Sequence, residues 1–296
     1  MPAPTRSTSD LATRNDAITG VREEVAYLGP EGDVLGFTYV PDGVVRGGVV
    51  LCPSLHAEFL GNYRKEVLLA RDLAAAGLAV QRFHHRGEGN SLGAPEDVTF
   101  ERLCADATVA GDRLRERTGV DQLAFLGTRL GALVAAATSS GPLVLWEPVL
   151  DARTYFREAF RARRMRELKD GVAEPSSAPS LEAQLSDEGS VDVLGYTIHR
   201  SLFESLRPQH LAIGDVPRPV LIVQIAKRAE LRREYTAAAE AWRSAGCPVD
   251  TAVVDDDESW WFVGEDWQPE ERRSGTATLV AETRRWLLGH YGGTAA

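Results

Sequence analysis

The sequence is poor in cysteine, has no long uninterrupted apolar run and carries too little positive charge to balance its acids. Its three cysteines, Cys52, Cys104 and Cys247, are odd in number, far apart and without metal-ligand spacing. They exclude a disulfide framework and point to a reducing compartment. Lys and Arg number 33 against 43 Asp and Glu, a formal net charge of −10. That balance repels nucleic acid and anionic lipid, so neither is expected as a general partner. No stretch approaches the ~18 apolar residues of a membrane span, and the first ten residues contain no apolar signal core. A soluble, cytoplasmic protein is the expectation. No internal repeat, metal-ligand cluster or cofactor motif stands out, so no cofactor and no metal are expected.

What is present supports a large core, because the 296 residues are 44% hydrophobic. One domain with an insertion accommodates that length better than two small ones. The chain is organised around Leu123-Ala124-Phe125-Leu126-Gly127-Thr128-Arg129-Leu130-Gly131-Ala132-Leu133 and the Ala-rich run that follows. A short apolar run ends in glycine, turns over three residues into a second glycine and continues as a helix. Such a turn brings the strand end and the helix start closer than a Cβ allows, which accounts for the glycines.

Residues 1–20 are polar and expected to be flexible. Segments 21–27 and 34–40 flank Gly29-Pro30-Glu31-Gly32-Asp33 and predict an antiparallel pair. Strands are predicted at 48–52, 78–83, 122–126, 143–146, 220–224 and 251–254, and helices at 62–76, from 99, at 232–245 and at 275–288. The alternation predicts parallel strands joined by right-handed crossovers. It breaks between 149 and 218, where an Arg-rich helix at 151–168, a Pro/Ser/Ala linker, a short strand at 191–195 and a helical turn at 201–206 have the size and place of a lid. The expected organisation is a flexible segment 1–20, a core of 21–148 and 219–290, and a lid of 149–218. The fold class is α/β, a mostly parallel central sheet with helices on both faces.

The turn at Gly127-Thr128-Arg129-Leu130-Gly131 has the shape of the G-x-S-x-G nucleophile elbow of the α/β hydrolases, with arginine in place of the serine. Together with the element order and the insertion it makes the chain resemble that superfamily from about residue 21 to 288. More narrowly, the segment 52–71, the elbow, Leu145-Trp146-Glu147-Pro148-Val149 and Asp192-Val193-Leu194-Gly195-Tyr196 resemble the hydrolases associated with the exosortase A system. Those sit near the serine aminopeptidase/acylhydrolase branch and also carry arginine at the elbow.

The resemblance implies a triad in the order Ser, Asp/Glu, His, each on a loop at the carboxyl end of a strand. The first slot holds Arg129, which stays charged and cannot attack a carbonyl. The usual acid slot after Gln224 offers only the late Glu230; an acid after the preceding strand is a known variant, and Glu147 stands there. The histidine slot after Val254 reads Asp255-Asp256-Asp257-Glu258-Ser259-Trp260-Trp261-Phe262, without histidine. A serine-hydrolase mechanism at that site is not expected.

A guanidinium at the elbow, backed by main-chain N–H groups, favours a carboxylate, phosphate or enolate. The alternative is that Arg129 pairs with Glu147 or Glu58 and only fills the vacated pocket. The expected binding residues are Arg129, Thr128, Ser54, His56, Glu147 and Trp260. The candidates for catalysis are His84, His85 and Glu58, since a histidine pair with Glu58 or Glu88 suits acid–base work or a metal. Adjacent histidines commonly point opposite ways, leaving one solvated. Cys52 and Ser54, near His56, are candidate relocated nucleophiles against the plainer reading of a buried thiol and a turn serine. Trp260, Trp261 and Trp267 suit an apolar pocket wall or core packing equally. The Arg-rich helix suits either a solvated face or the steering of an anionic substrate or carrier protein.

Three functions follow. One is a hydrolase-fold protein binding an anionic or acyl-type small molecule, with at most non-standard acid–base chemistry. The others are a non-catalytic scaffold that docks a protein partner or a second copy through the lid, and an esterase, acylhydrolase or peptidase with a displaced triad.

Overall fold

The computed structural model describes residues 11–171, 180–213, 217–256 and 273–291. In chain order the strands are β1 Ala12–Asn15, β2 Arg22–Leu28, β3 Val34–Val40, β4 Gly47–Cys52, β5 Leu78–Phe83, β6 Leu123–Thr128, β7 Leu143–Trp146, β8 Ser190–Val193, β9 Tyr196–His199, β10 Val220–Ile225 and β11 Val249–Val254. The α-helices are α1 His56–Ala75, α2 Phe100–Thr118, α3 Gly131–Thr138, α4 Ala152–Lys169, α5 Leu181–Glu188, α6 Arg200–Leu206, α7 Arg233–Ser244 and α8 Arg273–Tyr291.

Nine strands form one sheet in the order β1-β2-β3-β5-β4-β6-β7-β10-β11. The first four of these pair antiparallel and the rest parallel. The short apolar runs become this parallel centre because β4, β5, β6, β7 and β10 are buried along their whole length, as strands covered on both faces must be. Alternate residues divide between two cores. Val50 and Phe125 meet Leu103, Ala107 and Leu114 of α2 on one face. Val49, Leu51, Ala124 and Leu126 meet Leu69 and Leu73 of α1 and Leu279 and Leu287 of α8 on the other.

Two boundaries differ from expectation. The segment expected to be flexible contributes β1, whose residues Ala12–Asn15 pair with residues 22–25 along the edge of the sheet. All four are exposed, so neither alternation nor burial marks them in the sequence. Helix α1 begins at His56, six residues before the predicted start, and Leu55 caps it without a side-chain hydrogen bond; the usual Ser/Thr/Asp/Asn signal is therefore missing.

Between β7 and β10 the chain forms α4, α5, the β8–β9 hairpin and α6. The predicted single strand is a two-stranded hairpin, turned at Leu194 and Gly195, whose φ values of 57° and 86° suit a tight hairpin turn. Asp151 caps α4 by accepting from the Arg153 N–H at 2.8 Å. Phe156 and Phe160 pack on Phe203 of α6, with ring centroids 4.9 and 6.0 Å apart. Of the arginines of α4, Arg166 pairs with Asp170 on the outer side, while Arg163, half-buried, pairs with Glu167 and donates to the Asp192 carbonyl of the hairpin at 2.6 Å. No helix among the described residues is long and apolar enough to cross a membrane.

Candidate functional site

The elbow forms where β6 hands over to α3. A Cβ on Gly127 would fall on the backbone of Ala132, and one on Gly131 on the carbonyl oxygens of Cys52 and Pro53. Both positions therefore require glycine. Between them Arg129 takes φ 51°, and its main-chain N–H donates to the Trp146 carbonyl at 2.9 Å. That amide is committed to tying β6 to β7.

The Arg129 side chain is 8% exposed. Nε donates to Glu58 Oε1 at 3.1 Å and Nη1 to the Glu147 carbonyl at 3.3 Å. Nη2 lies 3.9 Å from a carboxylate oxygen of Glu158, which is 63% exposed. Burial works against the guanidinium charge, but the Glu58 carboxylate beside it holds Arg129 protonated, above its ordinary value. Glu58 is raised by the same burial, with Arg129 opposing. One Glu58 oxygen, Oε2, is buried without a hydrogen-bond partner.

This pair forms the polar end of a cavity of about 350 Å³. The wall continues through His56 and Ala57 of α1, through Tyr155, Glu158, Ala159 and Ala162 of α4, and through Val193, Leu194, Tyr196 and Ile198 of the hairpin. The cavity is therefore largely apolar, with the Arg129–Glu58 pair as its buried charged group. Four non-glycine residues among those described have φ in the left-handed region, His56, Arg129, Glu147 and Leu194. Three of them line this cavity, and the fourth supplies the carbonyl that accepts from Arg129. Left-handed backbone at His, Arg, Glu and Leu is unfavourable and concentrates where function over-determines geometry.

Of the residues expected at the site, the structure brings Arg129, Glu58 and His56 together. Glu147 turns away. Fully buried, its carboxylate accepts from the Ile225 N–H at 2.5 Å and from Arg232 Nη1 at 2.6 Å, and the Tyr235 hydroxyl lies 3.2 Å from Oε2. A buried carboxylate needs several donors, and those stand at the end of β10 and on the segment that follows it. Thr128 donates to Glu66 at 3.2 Å on α1. Ser54 is buried and accepts from Asn62 Nδ2 at 3.3 Å. Burial pushes the Cys52 thiol well up. Trp260, with Trp261 and Trp267, lies outside the described residues.

The histidine pair splits, as adjacent side chains on an extended segment do. His84 accepts from the Asn90 N–H at 3.0 Å and sits among Phe37, Phe59 and Tyr63, where burial and Arg82 lower it to about 4. His85 Nδ1 lies 3.3 Å from Asp106, which also binds Arg86 Nε at 2.6 Å. Burial alone would raise Asp106, but His85 and Arg86 hold it below its ordinary value. Neither ring lines the cavity with Arg129. Among the described residues no serine or cysteine side chain is hydrogen-bonded to an imidazole ring, and no group of three or more His, Cys, Asp or Glu side chains converges as a metal site.

The sequence reading missed Tyr155, Glu158, Ala159 and Ala162. Their spacing, i, i+3, i+4 and i+7, is one face of α4 and was the available signal.

No family model matches the sequence, and no curated protein matches it. Solved structures do. A thermostable carboxyl esterase from Bacillus coagulans is similar with a TM-score of 0.58 at 14% identity, over 92% of this chain and 99% of that one. Est1E from Butyrivibrio proteoclasticus gives 0.58 at 13%, over 90% and 98%. An α/β serine hydrolase without a lid from Xanthomonas campestris gives 0.51 at 16%, over 89% and 94%. At such identities the likeness speaks for the fold alone, and the fold is that of the α/β hydrolases.

Proposed function

We propose that this chain binds an acyl-type small molecule with an anionic or carbonyl head, and does so without the Ser-His-Asp machinery of its structural neighbours. The observation that carries the reading is the guanidinium of Arg129, mounted on the strained bend where a hydrolase holds its serine and set in the wall of an apolar cavity. In this reading α4 and the β8–β9 hairpin act as a lid, because they supply most of the apolar wall.

The electrostatics favour a head that competes with Glu158 rather than one that displaces Glu58. Glu58 is buried against Nε, whereas Glu158 is mostly exposed at 3.9 Å from Nη2. A surface ion pair at that distance contributes little, so a ligand carboxylate can take its place at Nη2 in a charge-assisted hydrogen bond. The thirteen-or-so heavy atoms of a medium-chain acyl compound fit within the usual size range of such pockets.

The test is calorimetric titration with octanoate, alongside labelling with a serine-directed fluorophosphonate. Octanoate should bind, Arg129→Ala should weaken it about tenfold or more, and the fluorophosphonate should not label the protein. Unchanged octanoate affinity in Arg129→Ala would refute the anchoring role. Labelling at Ser54 would favour a hydrolase with a displaced nucleophile.

A further inference from the structure

A second chamber, of about 260 Å³, adjoins the first and shares His56 and Tyr196 with it. The two rings meet edge to face across that shared wall, 6.0 Å between centroids. The new chamber lies between the loop after β5, which contributes Gly87 and Glu88, and the elements β9 and α6, which contribute Thr197, His199 and Leu202. Its character is different, because Glu88 and His199 join the shared His56 where the first cavity has Val193, Leu194 and Ile198.

The His56 ring has the Thr197 main chain of β9 beside it but no close side-chain partner among the described residues. Nδ1 is buried without a hydrogen-bond partner, and Nε2 stands 3.7 Å from Glu88 Oε1. That separation is too long for a hydrogen bond, yet a single oxygen atom set to one side of the pair can stand within bonding distance of both. Such an atom would accept from the His56 N–H and donate to the Glu88 carboxylate, so it must belong to a hydroxyl group or water. Burial pushes Glu88 up to about 7 against the His56 main-chain N–H, and burial lowers His56 to about 4. At neutral pH the imidazole is uncharged, and a neutral donor–acceptor oxygen suits the pair better than an anion does.

We infer that Glu88 and His56 form a polar subsite that takes the hydroxyl group of a ligand whose acyl arm lies beside Arg129. The ligand class is then an acyl compound bearing a hydroxylated head, such as an N-acyl amino alcohol or an acyl polyol. This inference rests on the proposed acyl-binding reading of the first cavity and narrows it.

The experiment compares N-octanoylethanolamine with N-propyloctanamide, which has the same length and a methyl group in place of the hydroxyl, and with octanoate, each by calorimetric titration of the full chain. N-octanoylethanolamine should bind the wild-type protein about tenfold more tightly than N-propyloctanamide, as expected of one well-placed buried hydrogen bond. Glu88→Leu, which removes the acceptor at similar size on a loop, should reduce that ratio to near one. Equal affinities for the two amides in the wild-type protein, with octanoate binding, overturn the subsite and leave the Arg129 reading standing. Hydroxyl-dependent binding of the amide without octanoate binding supports the subsite and overturns Arg129 as a carboxylate anchor. Binding of none of the three overturns both, and a ratio preserved in Glu88→Leu overturns the assignment to Glu88.

Discussion

At the scale of single residues the molecule places charge where water is absent, and the reason differs from site to site. Arg129 and Glu58 neutralise one another at the cavity. Behind the elbow, on the α1 side, Glu66 and Arg82 do so less completely, 4.0 Å apart and each 3% exposed or less. Arg82 is also stacked over Tyr63 at 4.5 Å from its centroid, which offsets part of its desolvation. Glu66 gains the Thr128 hydroxyl, this distant partner and the charge of Lys65, but burial outweighs them and pushes its carboxyl from 4.5 up to about 7. The folded state therefore holds a proton that the unfolded chain releases between those two values. The stabilising contribution is complete below pH 4.5 and is lost as pH rises through 7, to a total of about 3 kcal/mol. Glu66→Gln removes that titration. Relative to the wild-type protein it should gain about 3 kcal/mol between pH 4 and pH 8.5, measured by urea denaturation at both ends; an offset that does not change with pH would contradict the burial argument. None of this was legible beforehand, because Glu66 is one more acid on a helix until α1 is docked against β5 and β6. The Arg129–Glu58 contact was legible as one of two pairings. Geometry decides it, since Glu147 is claimed by the Ile225 N–H, Arg232 and Tyr235.

At the scale of elements, the strands were readable because uninterrupted apolar runs mean burial on both faces, and the helices because their apolar positions recur at helical spacing. The exceptions are elements whose determinants are not local. β1 is polar and exposed throughout and exists because an edge of β2 was open to it. The first turn of α1 starts on a left-handed His56 with no side-chain cap, a geometry fixed by its place over the elbow. The strand–turn–helix joint at 123–138 is the opposite case, where two glycines alone announce the geometry. The joint brings α3 so close to the end of β4 that Gly131 rests on the Cys52 and Pro53 carbonyls. Gly131→Ala should lower stability by about 3 kcal/mol, at the upper end of what overpacking against backbone costs. Gly119→Ala makes the control. That glycine ends α2 in left-handed backbone with open space around it, so its loss should come from conformation alone and amount to about 1 kcal/mol. Equal losses in the two variants, read from denaturant midpoints at a common slope, would mean that the close approach is not what fixes the elbow.

At the scale of the whole molecule the question is whether the segment between β7 and β10 moves as a separate lid or unfolds only with the core. Leu181, Leu185, Leu202, Phe203 and Leu206 belong to the same continuous apolar cluster as Val50, Phe125 and the buried face of α2. The segment is also tied to the start of α2, because the Phe100 N–H donates to Ser205 Oγ at 3.0 Å and Ser201 Oγ donates to the Glu96 carbonyl at 2.5 Å. Opening α6 away from the sheet would expose a cluster face rather than a polar seam, and each large side chain uncovered costs about 1.5–3 kcal/mol. The outer part of the segment is different. Val191, Val193 and Ile198 of the hairpin reach the same apolar cluster, but β8 and β9 form a two-stranded sheet that shares no ladder with the nine-stranded one, and two strands alone protect their amides weakly. Native-state hydrogen exchange separates the two. Amides of α6 should exchange with the opening free energy and denaturant sensitivity of β6 in the sheet centre, while those of β8 and β9 exchange through a smaller, local opening. Ligand access would then run through the hairpin, with α6 as a fixed floor. Exchange of α6 at the hairpin's lower free energy would instead make the whole of 149–218 a single mobile cap, and octanoate should then slow exchange across all of it rather than in the hairpin and the first turns of α4 alone.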